Sequence, residues 1–202
     1  METFCNFVFQ KGKNEPFNLM TNSSDSILCQ HDVLEFTQVA VQYCALLEQS
    51  EGQSRKDLCA TLLKLTPLLY LKAQLLPRIE GDGTFLPDEQ VTEQDYEYVR
   101  GSLASVLGNE DEYLDVVYGE MLHTDETQWK RISEHLADVY QPVRNFLGTC
   151  QGGLEDCIQD ALWQLVDSFE LYWGQSLVDA MARLHHIAYA IKVDENDEDT
   201  EE

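Results

Sequence analysis

The chain has 202 residues and 44% of them are hydrophobic, so one globular domain with a buried core is expected. It carries 37 acidic and 13 basic residues, and its net charge is −24. Because nucleic-acid affinity comes largely from Lys and Arg neutralising phosphates, this charge argues against DNA or RNA binding, unless the protein mimics nucleic acid. Anionic membrane surfaces are disfavoured for the same reason. A basic protein partner is electrostatically compatible with the chain.

The sequence shows no signal for export or membrane insertion. No apolar run approaches the roughly 18 residues of a membrane span. The start, METFCNFVFQKGKN, lacks a basic region followed by a long apolar one, so no signal peptide is predicted. We therefore expect a cytoplasmic protein whose six cysteines are reduced thiols. No C-x-x-C pair occurs, so neither a zinc ribbon nor a thioredoxin-like site is predicted.

The beginning of the chain changes from irregular to helical. Residues 1–29 lack helical periodicity, which predicts a flexible N-terminal arm. Apolar residues then recur at helical spacing, at Val33, Phe36, Ala40, Tyr43 and Leu47. The segment 51–54 (EGQS) ends this helix, and Ser54 followed by Asp57 predicts an N-cap for the next one.

The second and third helices carry different signals. The second is apolar around most of its circumference, which predicts a central position in the bundle. Pro67 lies inside it and lacks a backbone N–H, so a kink or a break is predicted there. Thr92 and Asp95 predict the N-cap of a third helix, whose apolar stripe ends at Gly108.

The middle of the chain contains one segment without a clear pattern. Residues 109–123 match neither the helical period nor the strand period convincingly. Thr124 or Asp125 is predicted to cap the helix that follows, and the segment 148–153 (GTCQGG) is predicted to end it. The apolar face of this helix would consist of Trp129, Ile132, Leu136, Val139, Val143 and Phe146.

The last helical region spans about 154–191. Gly174 lies in its middle, where glycine costs about 1 kcal/mol relative to alanine, so a kink or a division into two helices is predicted. Together these patterns predict an all-α fold, a single-domain bundle of about five to seven helices over 30–192. The arm 1–29 precedes the bundle, and a disordered acidic tail, 193–202, follows it.

No complete catalytic or metal-binding motif is present in the sequence. Glu120 and His123 form a single E-x-x-H, whereas di-iron bundles use two copies with two further carboxylates. Asp32, after His31, favours the positive end of a helix dipole, and the pair is interpreted as a helix start. Paired acidic residues occur near predicted helix ends, but a chain this acidic contains such pairs by chance. We therefore predict no catalytic residue, no metal and no cofactor.

Two adjacent histidines, His185 and His186, raise the possibility of a site on the last helix. Neighbouring helical residues point about 100° apart, so the two rings cannot simply face one metal. The favoured interpretation is one histidine at the edge of the apolar stripe and one on the surface, beside an Asp179–Arg183 ion pair. The alternative is a ligand or partner contact formed by Trp173, Gln175, Arg183, His185 and Tyr70.

Three stretches together resemble a known family. They are FTQVAVQYCALLE, LLKLTPLLYLKAQLLP and, near the end, YWGQSLVDAMARLHH. Over roughly 32–191 the chain resembles the family called domain of unknown function 5063. The resemblance implies an all-helical, cytoplasmic, bacterial protein without an assigned activity, and it brings no catalytic residues.

Two functions remain open from the sequence. The first is a non-enzymatic protein-interaction module with a basic protein partner, favoured by the acidic surface and the lack of a catalytic motif. The second is a small-ligand-binding protein or enzyme with a polar pocket between helices near the last helix. Neither the identity of a partner nor an oligomeric state is predicted.

Overall fold

The computed structural model describes residues 27–81, 90–118, 125–152 and 154–189. Helices dominate these residues, so the predicted all-α class is confirmed. The predicted acidic tail and residues 1–26 of the predicted arm lie outside the described residues. Residues 27–29 form a short 3₁₀ helix rather than a free arm, because Ile27 is buried and its backbone N–H donates to Glu155 Oε1 at 2.7 Å.

Six α-helices and two β-strands lie within the described ranges. The helices are α1 His31–Glu48, α2 Arg55–Gln74, α3 Glu93–Leu107, α4 Ile132–Gly152, α5 Glu155–Ser168 and α6 Gly174–Tyr189. The strands are β1 Glu112–Tyr118 and β2 Asp125–Arg131. A π-helical turn, Phe169–Trp173, joins α5 to α6, so the last helical region is divided next to Gly174 as predicted. No helix in the described ranges has the length and apolar character needed to cross a bilayer.

Two predicted N-caps are confirmed. The Ser54 hydroxyl accepts the backbone N–H of Asp57 at 3.3 Å and begins α2. At the start of α3, Thr92 and Asp95 form a reciprocal capping box, in which each side chain accepts the other residue's backbone N–H. These caps satisfy N–H groups that have no partner within the first helical turn. Each of these caps is formed by residues close together in the chain, which is why the sequence alone predicted it.

The central helix is α4 and not α2, so the predicted position of α2 is wrong. α4 packs against α1, α3, α5 and α6, whereas α2 packs mainly against α1 and α6. Two leucines of α2, Leu68 and Leu71, and its C-cap residue Leu75 are therefore exposed. Apolar residues around a helix do not determine how many other helices pack against it. The two helices that neighbour α2 cannot cover every side of it. Pro67 lies inside α2 without ending it.

The predicted start of α4 at residue 124 or 125 is also wrong. Residues 125–131 pair instead with β1 in an antiparallel hairpin, and Trp129 lies in β2. α4 begins at Ile132 because its cap comes from before the hairpin. The buried Asp111 carboxylate accepts both the backbone N–H and the hydroxyl of Ser133, each at 2.7 Å. A cap 22 residues away in the chain gives no local signal.

α4 continues through Gly148 and ends at Gly152, inside the segment 148–153 that was predicted to end it. Gly148 lies against the Gln90 side chain, which leaves no room for a Cβ atom. The close approach lets Asn145 Oδ1 accept the backbone N–H groups of Gln90 and Val91, at 2.9 and 2.8 Å. Gly148 therefore provides packing space between α4 and the segment before α3, and it does not terminate the helix.

Candidate functional site

The two faces of the hairpin present different chemistry. Successive side chains of a strand point to opposite faces, and the register pairs Tyr113 with Lys130 and Leu114 with Trp129. Tyr113 and Lys130 belong to the inner face, which contacts α4 and α6. Leu114 and Trp129 belong to the outer face and are solvent-exposed.

On the inner face, Lys130 links both strands to α6. Its Nζ lies 2.7 Å from Asp115 Oδ2 and 3.6 Å from Asp179 Oδ2. The hydrogen bond to Asp115 is the main cause of a raised Lys130 pKa, and the two carboxylate charges add to it. All three side chains are half-buried, so these ion pairs are screened less than fully exposed ones.

Arg183 adds a second cation from α6 to the same face. Its guanidinium carbon lies 4.1 Å from the centroid of the Tyr113 ring, which is a cation–π geometry. Its Nη2 lies 3.6 Å from Asp115 Oδ1. The ion pair predicted between Asp179 and Arg183 is replaced, because Asp179 contacts Lys130 and Arg183 contacts Asp115.

α4 contributes His135. Its Nε2 lies 2.8 Å from the Tyr113 hydroxyl. Burial is the main cause of a lowered His135 pKa, and the charge of Asp179 partly opposes it. Burial also raises the pKa of Tyr113. At neutral pH the pair is therefore an uncharged hydrogen-bonded contact. We call the whole set the hairpin cluster: Tyr113, Asp115, Lys130, His135, Asp179 and Arg183.

The outer face carries an apolar pair. Trp129 is 73% exposed and Leu114, directly opposite it in the register, is 48% exposed. Arg131 borders the pair, with Nη2 at 2.7 Å from Glu112 Oε1 and Nη1 at 3.2 Å from Glu134 Oε1. Single exposed apolar residues are ordinary, but an exposed tryptophan paired with a leucine makes a contiguous patch.

The five residues predicted for a site do not form one pocket. Arg183 belongs to the hairpin cluster, and Gln175 borders it by donating to Asp179 Oδ1 at 2.7 Å. Trp173 is fully buried, and its indole N–H donates to the Leu165 carbonyl at 3.0 Å.

The other two predicted residues lie elsewhere on the surface. His185 is exposed, and its ring lies in a tilted contact with that of Tyr189, with the centroids 4.6 Å apart. The half-buried Tyr70 packs its ring 5.2 Å from that of Phe169. Tyr70 and Gln175 both line a groove of about 380 Å³ between α2 and the start of α6. The full lining is Tyr70, Ala73, Gln74, Leu76, Arg78, Val166, Phe169, Glu170, Gly174, Gln175 and Val178.

Metal ligands and thiols are the other groups in the described residues that bear on chemistry. Within the described residues, no three His, Cys, Asp or Glu side chains are grouped to hold a metal ion. The single E-x-x-H of the sequence, Glu120 and His123, lies outside those residues. Cys44 and Cys150 are buried free thiols, and burial raises the pKa of Cys150 to about 12. Cys150 is therefore a protonated, poorly nucleophilic side chain at neutral pH.

Sequence reasoning missed most of the hairpin cluster and the exposed pair. The residues EYLDVVY of β1 alternate loosely and include a Tyr and two Val, which is a strand signal. The residues DETQWKR of β2 are mostly polar and give no such signal. Only the pairing of the two strands brings Lys130 to Asp115 and Trp129 to Leu114.

These features define an acidic helical bundle with an attached hairpin. The family model described as Domain of unknown function (DUF5063) matches residues 29–190, and the chain belongs to this family. A crystal structure of protein BF1032 from Bacteroides fragilis is similar to it at 40% sequence identity and a TM-score of 0.73. That match covers 81% of this chain and 96% of the other. No curated protein matches the chain.

Proposed function

We propose that the protein is a protein-interaction module and that the outer face of the hairpin is its docking surface. The observation that carries the proposal is the exposure of Trp129 directly opposite Leu114. Tryptophan is enriched among the residues that dominate binding energy at protein interfaces, where it fills an apolar pocket of the partner. In this interpretation Trp129 is the anchor, and Leu114 widens the apolar contact.

Charge indicates the kind of partner. The chain has a net charge of −24, and beside the patch Arg131 pairs with both Glu112 and Glu134. A long-range negative field attracts a basic surface and speeds its association. The proposed partner therefore presents an apolar pocket bordered by Lys or Arg residues.

The hairpin cluster supports the proposal by holding the docking surface in place. Lys130 links β1, β2 and α6, while the contact of Tyr113 with His135 links β1 to α4. An isolated two-stranded hairpin is marginally stable in water, so these ties to the bundle matter. A surface that is ordered before binding loses less conformational entropy on binding, which favours affinity.

The test is a comparison of variants in affinity purification. Tagged wild-type protein, Trp129→Ala and the control Leu171→Ala are expressed in the native host and recovered at low salt with quantitative mass spectrometry. Leu171 is 78% exposed and lies in the π-helical turn, outside the two strands of the hairpin. Loss of a tryptophan anchor costs about 2 kcal/mol or more, so recovery of a stoichiometric partner should fall about thirty-fold for Trp129→Ala alone.

Recovery should also weaken in a graded way as salt is raised, because salt screens the attraction between an acidic surface and a basic partner. Equal recovery of the same partner by all three proteins would contradict the docking surface. A small-ligand role is the second candidate function, and the groove between α2 and α6 is the observation that favours it.

A further inference from the structure

The groove between α2 and the start of α6 has one charge of each sign at its mouth. Arg78 Nη2 lies 2.7 Å from Glu170 Oε1, and both side chains are exposed. An exposed ion pair of this kind contributes about 0–1 kcal/mol, so separating the two groups costs little. Each group can therefore exchange its present partner for a charged group of a ligand.

Behind the charged mouth, the lining includes apolar and aromatic side chains beside polar ones. Phe169 supplies a ring, Val166 and Leu76 supply aliphatic surface, and the Tyr70 ring packs against Phe169 at 5.2 Å. The Tyr70 hydroxyl and the Gln74 side chain, hydrogen-bonded at 3.2 Å, add a polar edge. The groove therefore suits a ligand with an apolar body and a charged end.

The π-helical turn forms one wall of the groove. It carries both Phe169 and Glu170, and Gly174, which follows it as the first residue of α6, also lines the groove. A Cβ atom on Gly174 would lie 2.5 Å from the Phe169 carbonyl oxygen and 3.0 Å from its ring. Because Gly174 has no Cβ atom, Phe169 can occupy its position beside the groove. Single π-helical turns within α-helices occur frequently at functional sites.

We propose that the groove binds a zwitterionic ligand of amino-acid size with a large apolar side chain. The ligand's carboxylate pairs with Arg78, its ammonium group pairs with Glu170, and its side chain lies against Phe169. A purely anionic ligand would face Glu170 and a purely cationic one would face Arg78, whereas a zwitterion matches both. The volume of about 380 Å³ is at the small end of the range for ligand pockets and suits such a molecule.

Calorimetric titration with defined probes tests the proposal. The probes are L-phenylalanine, L-leucine and L-methionine, with N-acetyl-L-phenylalanine and L-phenylalaninamide as analogues that lack the ammonium or the carboxylate charge. We expect at least one free amino acid to bind with Kd in the millimolar range or below. Each blocked analogue of L-phenylalanine should bind about two- to five-fold more weakly, because one exposed charge pairing is lost.

Three variants locate the binding. Arg78→Gln and Glu170→Gln should each weaken binding about two- to five-fold by removing one pairing. Arg100→Gln is the matched control, because it breaks the Arg100–Glu97 ion pair on α3 and leaves the groove unchanged. Far-ultraviolet circular dichroism confirms that each variant is folded before titration.

Three results would overturn the proposal: no free amino acid binds up to about 10 mM, free and blocked forms bind equally, or Arg78→Gln binds as the wild type does. The variants leave Trp129 and Leu114 intact, so loss of this site is distinguishable from loss of the hairpin's docking surface.

Discussion

The other helices of the bundle and the hairpin both pack against α4, but different interactions hold them there. In the bundle, Phe36, Phe146 and Trp173 are almost completely removed from water. At the hairpin, Lys130 and Asp115 are 27% and 31% exposed and are held by ion pairs. Burial of a large apolar side chain stabilises a fold by about 1.5–3 kcal/mol, whereas an exposed ion pair contributes about 0–1 kcal/mol. The bundle should therefore set stability, and the hairpin cluster should set the position of the docking surface.

The largest effect should come from the core. Phe36→Ala removes a fully buried ring that packs edge-on against Phe146, with centroids 6.1 Å apart. The lost burial and the resulting cavity should lower the free energy of unfolding by about 3–5 kcal/mol in urea denaturation. The exposed Leu171→Ala should change it by less than about 0.5 kcal/mol. A loss below 1 kcal/mol for Phe36→Ala would show that the core is packed differently.

A smaller effect on stability is expected at Gly174. Alanine should destabilise the protein there, although alanine has the higher helix propensity. Gly174→Ala forces a Cβ atom against Phe169, so we expect a loss of about 1–3 kcal/mol in thermal denaturation. Gly101→Ala is the matched control, because no atom lies within 4 Å of its added Cβ on α3. That variant should gain about 0.5–1 kcal/mol from helix propensity. Stabilisation by both substitutions would disprove the close contact at Gly174.

Lys130→Met should affect the hairpin more than the whole fold. It removes the ammonium group that joins Asp115 to Asp179 and keeps a side chain of similar length. Global stability should change by about 1 kcal/mol or less, because these ion pairs are only half-buried. Amide hydrogen exchange should accelerate in β1 and β2 and stay unchanged in α1. Equal acceleration in both regions would mean that the hairpin and the bundle unfold as one unit.

The smallest effect should appear in the pH dependence of stability. Burial lowers the pKa of His135 in the folded state, so the unfolded chain binds the proton more readily. Stability should therefore be complete above the usual histidine pKa of about 6.5 and decline as the pH falls through the lower folded pKa. His135→Gln should reduce this decline. Asp179, Lys130, Asp138 and Glu134, which also act on His135, remain in both proteins. Identical pH profiles would exclude His135 as the cause.

The sequence was informative wherever structure depends on nearby residues. The caps at Ser54 and Thr92 and the division beside Gly174 follow from residues within one or two turns. The start of α4 depends on Asp111, on the far side of the hairpin, so the sequence misplaced it. The position of α2 depends on how many helices pack against it. Apolar periodicity along the sequence does not indicate that number.

The candidate site was predictable only in part for the same reason. Arg183 and Gln175 were selected from the last helix, and both lie at or beside the hairpin cluster. Their partners come from β1, β2 and α4, and no spacing along the chain indicates those contacts. Trp173 was selected as a contact residue, and the structure places it in the core. Trp129 was placed on a buried helical face, whereas strand pairing turns it to the surface.

The most direct test of the docking surface is hydrogen–deuterium exchange of the protein alone and in complex with the partner recovered by the wild type. We predict slower exchange in β1 Glu112–Tyr118 and β2 Asp125–Arg131 on binding, with no change in the part of α2 that lines the groove. Protection confined to α2 and α6, with the hairpin unchanged, would contradict the assignment of the hairpin as the docking surface.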